Sequence, residues 1–198
     1  TSPATIDEAA INDKLTRAEG RAWCDHAFFA GAAAENAERL GELERLPGVC
    51  GVKIFMGSST GSLLVHEDEH LRRVLKHVRR RVAVHSEDED RLRERFELIR
   101  EGGKVSQHPE WRDVETAVRS TKRLLKLARE AGKRIHVLHV TTAEEVPILA
   151  AAKDIATMEV TPQHLTLAAP YCYEEIGSFA QMNPPIRDAR HREALWEA

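Results

Sequence analysis

Five short apolar runs alternate with amphipathic segments along this chain, and this alternation limits its fold more than any other feature of the sequence. The runs are candidate β-strands at 22–29, 49–56, 82–85, 134–140 and 156–160. A helix between successive strands is the usual connection of parallel strands, so the pattern predicts an α/β fold with a parallel sheet. Open doubly wound sheets and closed barrels share this pattern, and periodicity alone does not choose between them.

Capping signals predict where two of the helices begin. Thr5-x-x-Glu8 and Thr142-x-x-Glu145 both have capping-box spacing before helical segments. The stretch 87–132 is longer than one crossover helix needs, so we expect two helices there. Neither a repeat nor a low-complexity linker interrupts the sequence, which predicts a single domain over residues 1–198.

Charge and hydropathy argue against two classes of partner. The 198 residues have a net charge of −3 and no overall basic field for a phosphate backbone, so we expect no nucleic-acid partner. The basic cluster at 72–81 follows three acidic residues, which suits an exposed helix with a favourable dipole. No apolar run approaches the ~20 residues of a membrane span. Three widely spaced cysteines suit a reducing cytoplasm.

Lys53 and His85 are polar residues in or at the end of apolar runs. Lys53 stands between Val52 and Ile54, where an unpaired ammonium is costly to desolvate. It either reaches solvent or an acidic partner, or it has a lowered pKa that makes its neutral amine a nucleophile. His85 ends its run, and the carboxyl ends of barrel strands are where ligands collect.

The fourth run contains two histidines, of which we select one. His139 ends the run, whereas His136 lies three residues earlier and should point to the opposite face of an extended strand. If one histidine of this run is a zinc ligand, we predict that it is His139, at a strand end like His85, and that His136 is a packing residue. The plainer alternative for any of these histidines is a structural role.

Five sequence blocks in this chain resemble the dihydroorotases, a family of cyclic amidohydrolases. The blocks are GVKIFMG at 51–57, VHSED at 84–88, HVLHVTT at 136–142, MEVTPQHL at 158–165 and MNPPIR at 182–187. They follow the family's order across nearly the whole chain. The resemblance implies a (β/α)8 barrel of the metal-dependent amidohydrolase type, of which this chain supplies strands three to seven with their helices.

The resemblance also implies a reaction and its site. Two zinc ions would share a carbamate made from Lys53 and carbon dioxide, with His85 and His139 on one metal and Asn183 on the pyrimidine ring. Some dihydroorotases use an aspartate bridge instead of the carbamate. The implied reaction is the reversible cyclisation of N-carbamoyl-L-aspartate to L-dihydroorotate in cytoplasmic pyrimidine biosynthesis. The segment 57–62 lacks the ending of a phosphate-binding loop, and the family has a mobile active-site loop there.

The sequence departs from the family pattern in three places. The His-x-His motif of the first barrel strand and the metal-binding aspartate of the last strand are absent, and Gln163 replaces the first of two histidines. We therefore expect the chain to be the central part of a longer polypeptide and to be inactive alone. Glu159 would orient a ligand or support a further metal, or would be a buried polar residue within the barrel.

Two other functions stay open. A hydantoinase or allantoinase would share the metal core, although the MNPPIR block favours dihydroorotase. A non-catalytic dihydroorotase-like subunit would scaffold a partner such as aspartate transcarbamoylase, but the retained Lys53, His85 and His139 argue against it. We expect a homodimer whose small-molecule ligand is carbamoyl aspartate or dihydroorotate.

Overall fold

A five-stranded parallel sheet forms the centre of the computed structural model, which describes residues 2–59, 61 and 63–198. The strands are β1 (Phe28–Gly31), β2 (Val49–Phe55), β3 (Val82–His85), β4 (Ile135–Val137) and β5 (Ala156–Met158). They lie side by side in chain order, and each neighbouring pair is parallel. The predicted α/β class and parallel sheet are confirmed.

Helices connect the strands and continue beyond the last one. Within the described ranges the α-helices are α1 (Glu8–Ala18), α2 (Leu40–Leu43), α3 (Asp68–His77), α4 (Glu89–Arg95), α5 (His108–Trp111), α6 (Val114–Ala131), α7 (Glu145–Ala150), α8 (Pro162–Thr166), α9 (Tyr171–Ile176) and α10 (Ala189–Glu197). Short 3-10 turns are formed by Ala37–Arg39, Phe96–Leu98, Val105–Gln107 and Gly177–Ala180. The connection between β3 and β4 thus holds α4 and α6, as predicted, with the single-turn α5 between them. No helix in the described ranges is both long and apolar enough to cross a bilayer.

The two predicted capping boxes have different outcomes. Helix α1 begins at Glu8 with Asp7 as its N-cap, whose carboxylate accepts from the Ala10 amide at 2.8 Å, so the prediction for Thr5 is wrong. Asp7 is itself a strong capping residue and lies directly before the helix. At α7, the Thr142 hydroxyl accepts from the Glu145 amide at 3.1 Å and donates to its carboxylate at 2.8 Å. The Thr142–Glu145 contact therefore forms.

The two faces of the sheet carry different residues. One face buries a row of apolar side chains that includes Val52, Val82 and Ile135, and helices such as α3 and α6 cover it. The register puts Lys53 on the other face, in a row with Ala83 and His136. This second face is more open; Phe29, two residues before Gly31 in β1, is 44% exposed. We call it the inner face, since it is concave in a closed barrel.

The first strand is shorter than predicted and starts later. The run 22–29 contains apolar residues, but Trp23 is fully exposed and β1 begins only at Phe28. The segment before β1 is therefore not part of the sheet. At the end of β1, the Gly31 amide donates to the Thr5 carbonyl at 2.7 Å, so one residue of this edge strand is paired with the N-terminal segment.

Candidate functional site

The predicted zinc ligands meet at one edge of the sheet. Since all strands are parallel, the carboxyl ends of β2, β3 and β4 lie at the same edge. His85 is the last residue of β3 and pairs with Phe55 of β2, two residues beyond Lys53. His139 follows β4 by two residues. The structure thus places the three residues around the ends of three neighbouring strands.

His85 and His139 contact each other directly. Nδ1 of His85 lies 3.1 Å from Nε2 of His139, and the ring centroids are 4.8 Å apart at an angle of 77°. The backbone of His139 has a φ of 40°, a left-handed conformation that is uncommon for residues other than glycine. This turn directs the His139 ring towards His85 after the strand has ended.

Hydrogen bonds show which nitrogen of His85 donates, and burial affects the protonation of His139. His85 is buried, and its Nε2 lies 2.8 Å from Oε2 of Glu87. A carboxylate has no proton to give, so Nε2 of His85 is the donor. Burial, together with the nearby charges of His85 and Lys53, lowers the pKa of His139 to about 3. His139 is therefore a neutral imidazole at physiological pH, which is the form that binds metals.

Glu87 is a buried carboxylate that sequence reasoning did not select. Burial raises its pKa, but the charge of Arg112 and the hydrogen bond from His85 outweigh this effect and leave the pKa at about 2. Arg112 contacts the same oxygen, Oε2, that accepts from His85. The signal in the sequence was that Glu87 lies two residues after the candidate ligand His85. A carboxylate in this place usually orients a metal ligand.

Lys53 lies in an environment that favours its neutral amine. Burial lowers its pKa and the charge of Glu159 partly offsets this effect, which leaves the pKa at about 8. Its Nζ stands 4.6 Å from the centroid of the Phe55 ring. It also lines a cavity of about 300 Å³ on the inner face, together with Phe55 and Ser59. A lowered pKa leaves a reactive fraction of free amine at neutral pH.

The donor atoms present suit a zinc ion in part. Two ligands on one tetrahedral zinc, at Zn–N distances near 2.0–2.1 Å, stand about 3.3 Å apart, close to the 3.1 Å between the facing nitrogens of His85 and His139. Nδ1 of His139 is buried and has no hydrogen-bond partner among the described residues. In the same residues, no group of three or more His, Cys, Asp or Glu side chains is arranged to hold a metal. A zinc site would therefore need Lys53 or ligands from outside this chain.

His136 differs from its predicted packing role. It lies on the inner face, where Nδ1 is 2.8 Å from the Thr157 hydroxyl and Nε2 is 3.1 Å from the Glu159 carboxylate. The argument from strand alternation fails because β4 ends at Val137, before His139. Glu159 is half exposed at its side chain and is therefore not the buried residue of the plainer prediction.

Asn183 lies in a loop that histidines hold from two sides. Nε2 of His108 is 3.0 Å from both the Met182 carbonyl and Oδ1 of Asn183, and both are acceptors, so Nε2 is the donor. Nδ2 of Asn183 lies 3.4 Å from the Ser59 hydroxyl. Thr60 and Ser62, in the predicted mobile loop, lie outside the described residues. Asn183 thus bridges the loop after β2 and the start of α5.

The second histidine that contacts this loop is His164 of α8, which is buried and whose Nε2 lies 3.1 Å from the Pro184 carbonyl. Its Nδ1 lies 2.8 Å from the Thr161 hydroxyl. Burial lowers its pKa to about 4. The neighbouring Gln163 is exposed, so the departure from the family pattern falls on a residue outside the packed region.

Comparisons with known proteins agree with this architecture. The allantoinase of Escherichia coli is 32% identical over 208 residues, which cover 98% of this chain and 46% of the allantoinase. The structure of L-hydantoinase (dihydropyrimidinase) from Arthrobacter aurescens matches 98% of this chain and 44% of that chain, with a TM-score of 0.87 and 25% identity. No family model matches the chain.

A third relative concerns dihydroorotase. The inactive dihydroorotase-like domain of the Chaetomium thermophilum CAD-like multifunctional protein has a TM-score of 0.65 at 16% identity, covering 98% of this chain and 46% of that chain. At this identity the similarity shows the fold alone.

The fold and these similarities define the class of protein as an α/β barrel of the amidohydrolase type, present here as five consecutive strands with their helices. The similarities are to cyclic amidohydrolases, namely an allantoinase and a hydantoinase, and they do not single out dihydroorotase. The chain spans about half the length of the curated relatives it matches.

Proposed function

We propose that the complete protein containing this chain opens, or in reverse closes, a cyclic amide at a metal centre to which Lys53, His85 and His139 contribute. The observation that carries this proposal is the pair of ring nitrogens 3.1 Å apart at the ends of β3 and β4. The lowered pKa of Lys53 on the inner face supports it. The remaining ligands would come from the part of the barrel outside this chain.

The residues of this chain would contribute in distinct ways. After Lys53 loses its ammonium proton, its neutral amine would attack carbon dioxide, forming an N–C bond and releasing a second proton. The side chain would then end in a carboxylate that could hold zinc. His85 and His139 would bind through neutral imidazole nitrogens, with His85 held by Glu87. When bound, zinc supplies Lewis acidity and lowers the pKa of water.

For the substrate we propose dihydroorotate, with N-carbamoyl-L-aspartate as its ring-opened form. The MNPPIR block supports this choice, and Asn183 within it would hydrogen-bond the ring. Its amide already lies 3.4 Å from Ser59, a residue that lines the cavity beside Lys53. The enzyme would act in pyrimidine biosynthesis in the cytoplasm.

A second candidate substrate is an allantoin- or hydantoin-type ring. The 32% identity to allantoinase over nearly the whole chain favours it. Ring opening of either candidate substrate breaks a ring C–N bond next to a carbonyl, so the same Lys53, His85 and His139 would serve both reactions. The difference would lie in substrate contacts, of which this chain carries only a part.

A non-catalytic scaffold is the third candidate. An inactive dihydroorotase-like domain of a multifunctional protein has the same fold, so the fold is compatible with this role. In that case the partner would be aspartate transcarbamoylase. For either role we propose a homodimer and one barrel domain that includes residues 1–198.

The substrates are separated by one panel of assays. The complete protein, loaded with zinc, is given dihydroorotate, allantoin and 5-substituted hydantoins, and ring opening is followed for each. We expect turnover of dihydroorotate above the others. Turnover of allantoin or hydantoins alone would replace the first substrate with the second. A stable complex with aspartate transcarbamoylase, without zinc and without turnover, would contradict the enzyme and favour the scaffold.

A further inference from the structure

Arg112 is a buried cation that joins three segments near the strand ends. It is 2% exposed. One terminal nitrogen, Nη1, contacts the Glu87 carboxylate, and the other, Nη2, donates to the Ser58 carbonyl at 2.6 Å. Its own carbonyl accepts from Nη1 of Arg187 at 2.9 Å. A planar guanidinium can serve two acceptors at once, which the single ammonium of a lysine does less well.

The Glu87 contact connects Arg112 to a candidate ligand. Glu87 is fully buried, and its Oε2 receives both Arg112 and Nε2 of His85. Because the carboxylate fixes the proton of His85 on Nε2, it leaves Nδ1 as the nitrogen that faces His139. Arg112 in turn fixes the carboxylate. The orientation of His85 therefore depends on Arg112 through the carboxylate that they share.

The Ser58 contact connects Arg112 to the loop after β2. The Ser58 amide also donates to the Glu89 carboxylate at 2.7 Å, so both ends of this residue are held. The neighbouring Ser59 hydroxyl lies 3.4 Å from the amide of Asn183. A Cβ on Gly57 would lie 2.7 Å from the Glu87 carbonyl, which shows how closely the loop packs on residue 87.

The Arg187 contact connects Arg112 to the loop that carries Asn183. Arg187 is buried four residues after Asn183, and its Nε donates to the Thr141 hydroxyl at 3.0 Å. Thr141 follows His139 by two residues. The loop after β2 thus contacts the Arg112 guanidinium, the MNPPIR block contacts its carbonyl through Arg187, and the loop after β4 is linked to both through Arg187.

We propose that Arg112 is a positioning residue that sets the orientation of His85 through Glu87 and couples it to the loops around Asn183. This inference rests on the proposed function, since it gives His85 a role as ligand and Asn183 a role in substrate binding. The competing explanation is an ion pair that only stabilises the fold. The two differ in a measurable way, because a structural pair has no reason to affect metal affinity and KM through separate contacts.

The test uses four variants of the complete protein: Arg112→Met, Arg112→Lys, Glu87→Gln and the double variant Arg112→Met/Glu87→Gln. Zinc affinity is measured by chelator competition, and kcat and KM are measured with the substrate that the wild type turns over. Arg112→Met leaves the Glu87 carboxylate buried without its cation, and we expect zinc affinity to fall about 10- to 100-fold. KM should also rise, since Ser58 loses its donor.

The double variant separates the two effects. A glutamine at position 87 is neutral and still accepts from Nε2 of His85, so zinc affinity should return to within a few-fold of the wild type. KM should stay raised, because the Ser58 carbonyl remains without its donor. If zinc affinity does not recover in the double variant, or if Arg112→Met changes neither zinc affinity nor KM, the proposal is overturned.

The Arg112→Lys variant and one additional control variant keep the test decisive. Arg112→Lys keeps the charge beside Glu87, so it decides the question if Arg112→Met does not fold; near-normal zinc affinity with a raised KM is expected, and a normal KM would contradict the proposal. Arg91→Met is the control, since it breaks an ion pair with the adjacent Asp113 without touching Glu87 or Ser58. A wild type that retains no zinc and opens no cyclic amide would refute the proposed function itself, whereas an active wild type with unaffected variants would refute only this inference.

Discussion

Replacing His164 by glutamine should remove an acid-sensitive contribution to stability. The ring of His164 is buried, and its Nε2 holds the Pro184 carbonyl in the loop that carries Asn183. Burial lowers its pKa from 6.5 to about 4. Between about pH 4 and pH 6.5, His164 is therefore protonated in the unfolded chain and neutral in the folded chain. The stabilising contribution is fully present above pH 6.5 and is lost as the pH falls towards about 4.

The size of the effect follows from these two pKa values. The whole difference corresponds to about 3 kcal/mol, and about 2 kcal/mol of it should be lost between pH 7 and pH 5. Glutamine does not titrate and can still donate to the Pro184 carbonyl. Between pH 7 and pH 5, the free energy of unfolding should therefore fall by about 2 kcal/mol less in the His164→Gln variant than in the wild type.

The assay is urea unfolding of the complete, metal-free protein at pH 7 and pH 5, with a chelator present. Comparing the variant with the wild type at each pH cancels the other titrating groups. His26→Gln, at an exposed histidine, is the matched control and should behave as the wild type does. Equal losses of stability in His164→Gln and the wild type would refute the account of His164 as a neutral, buried support of the loop.

Two other substitutions test how the site is held in place. Asn36 is buried and makes three hydrogen bonds, accepting from the Ala33 amide at 2.9 Å and donating to the Ile6 and Gly31 carbonyls at 2.8 and 2.9 Å. At about 1 kcal/mol for each bond, Asn36→Ala should lower the free energy of unfolding by about 3 kcal/mol. Urea unfolding measures this loss. A loss below about 1 kcal/mol would show that water replaces these bonds. Gly57→Ala would place a Cβ 2.7 Å from the Glu87 carbonyl, so the loop must shift and kcat/KM should fall about 10- to 100-fold; unchanged kinetics would show that this close approach does not position the site.

The sequence allowed the sheet to be predicted because its strands are buried on the helix-facing side. Apolar runs correctly located β2 to β5, since a run such as 82–85 has few polar residues that would suit a helix surface. The first strand was placed too early, because Trp23 is apolar in sequence but fully exposed in the structure. Composition does not reveal that exposure.

The site was only partly predictable, for physical reasons that differ between residues. His85 and His139 could be selected because they lie at or near the ends of apolar runs, and their role as ligands stays a prediction. His136 was placed on the wrong side because alternation holds only while the strand continues, and β4 stops before His139. Arg112 gave no signal, since its partner Glu87 lies 25 residues away and the two meet only in the folded chain.

The account depends most on Lys53, and one measurement tests it directly. Zinc-dependent opening of dihydroorotate by the complete protein is followed by the loss of ultraviolet absorbance, in the wild type, in Lys53→Ala and in Lys76→Ala, an exposed lysine of α3. The account predicts turnover in the wild type and in Lys76→Ala, dependent on zinc, and none in Lys53→Ala. Turnover that persists in Lys53→Ala, or that does not depend on zinc, would contradict it.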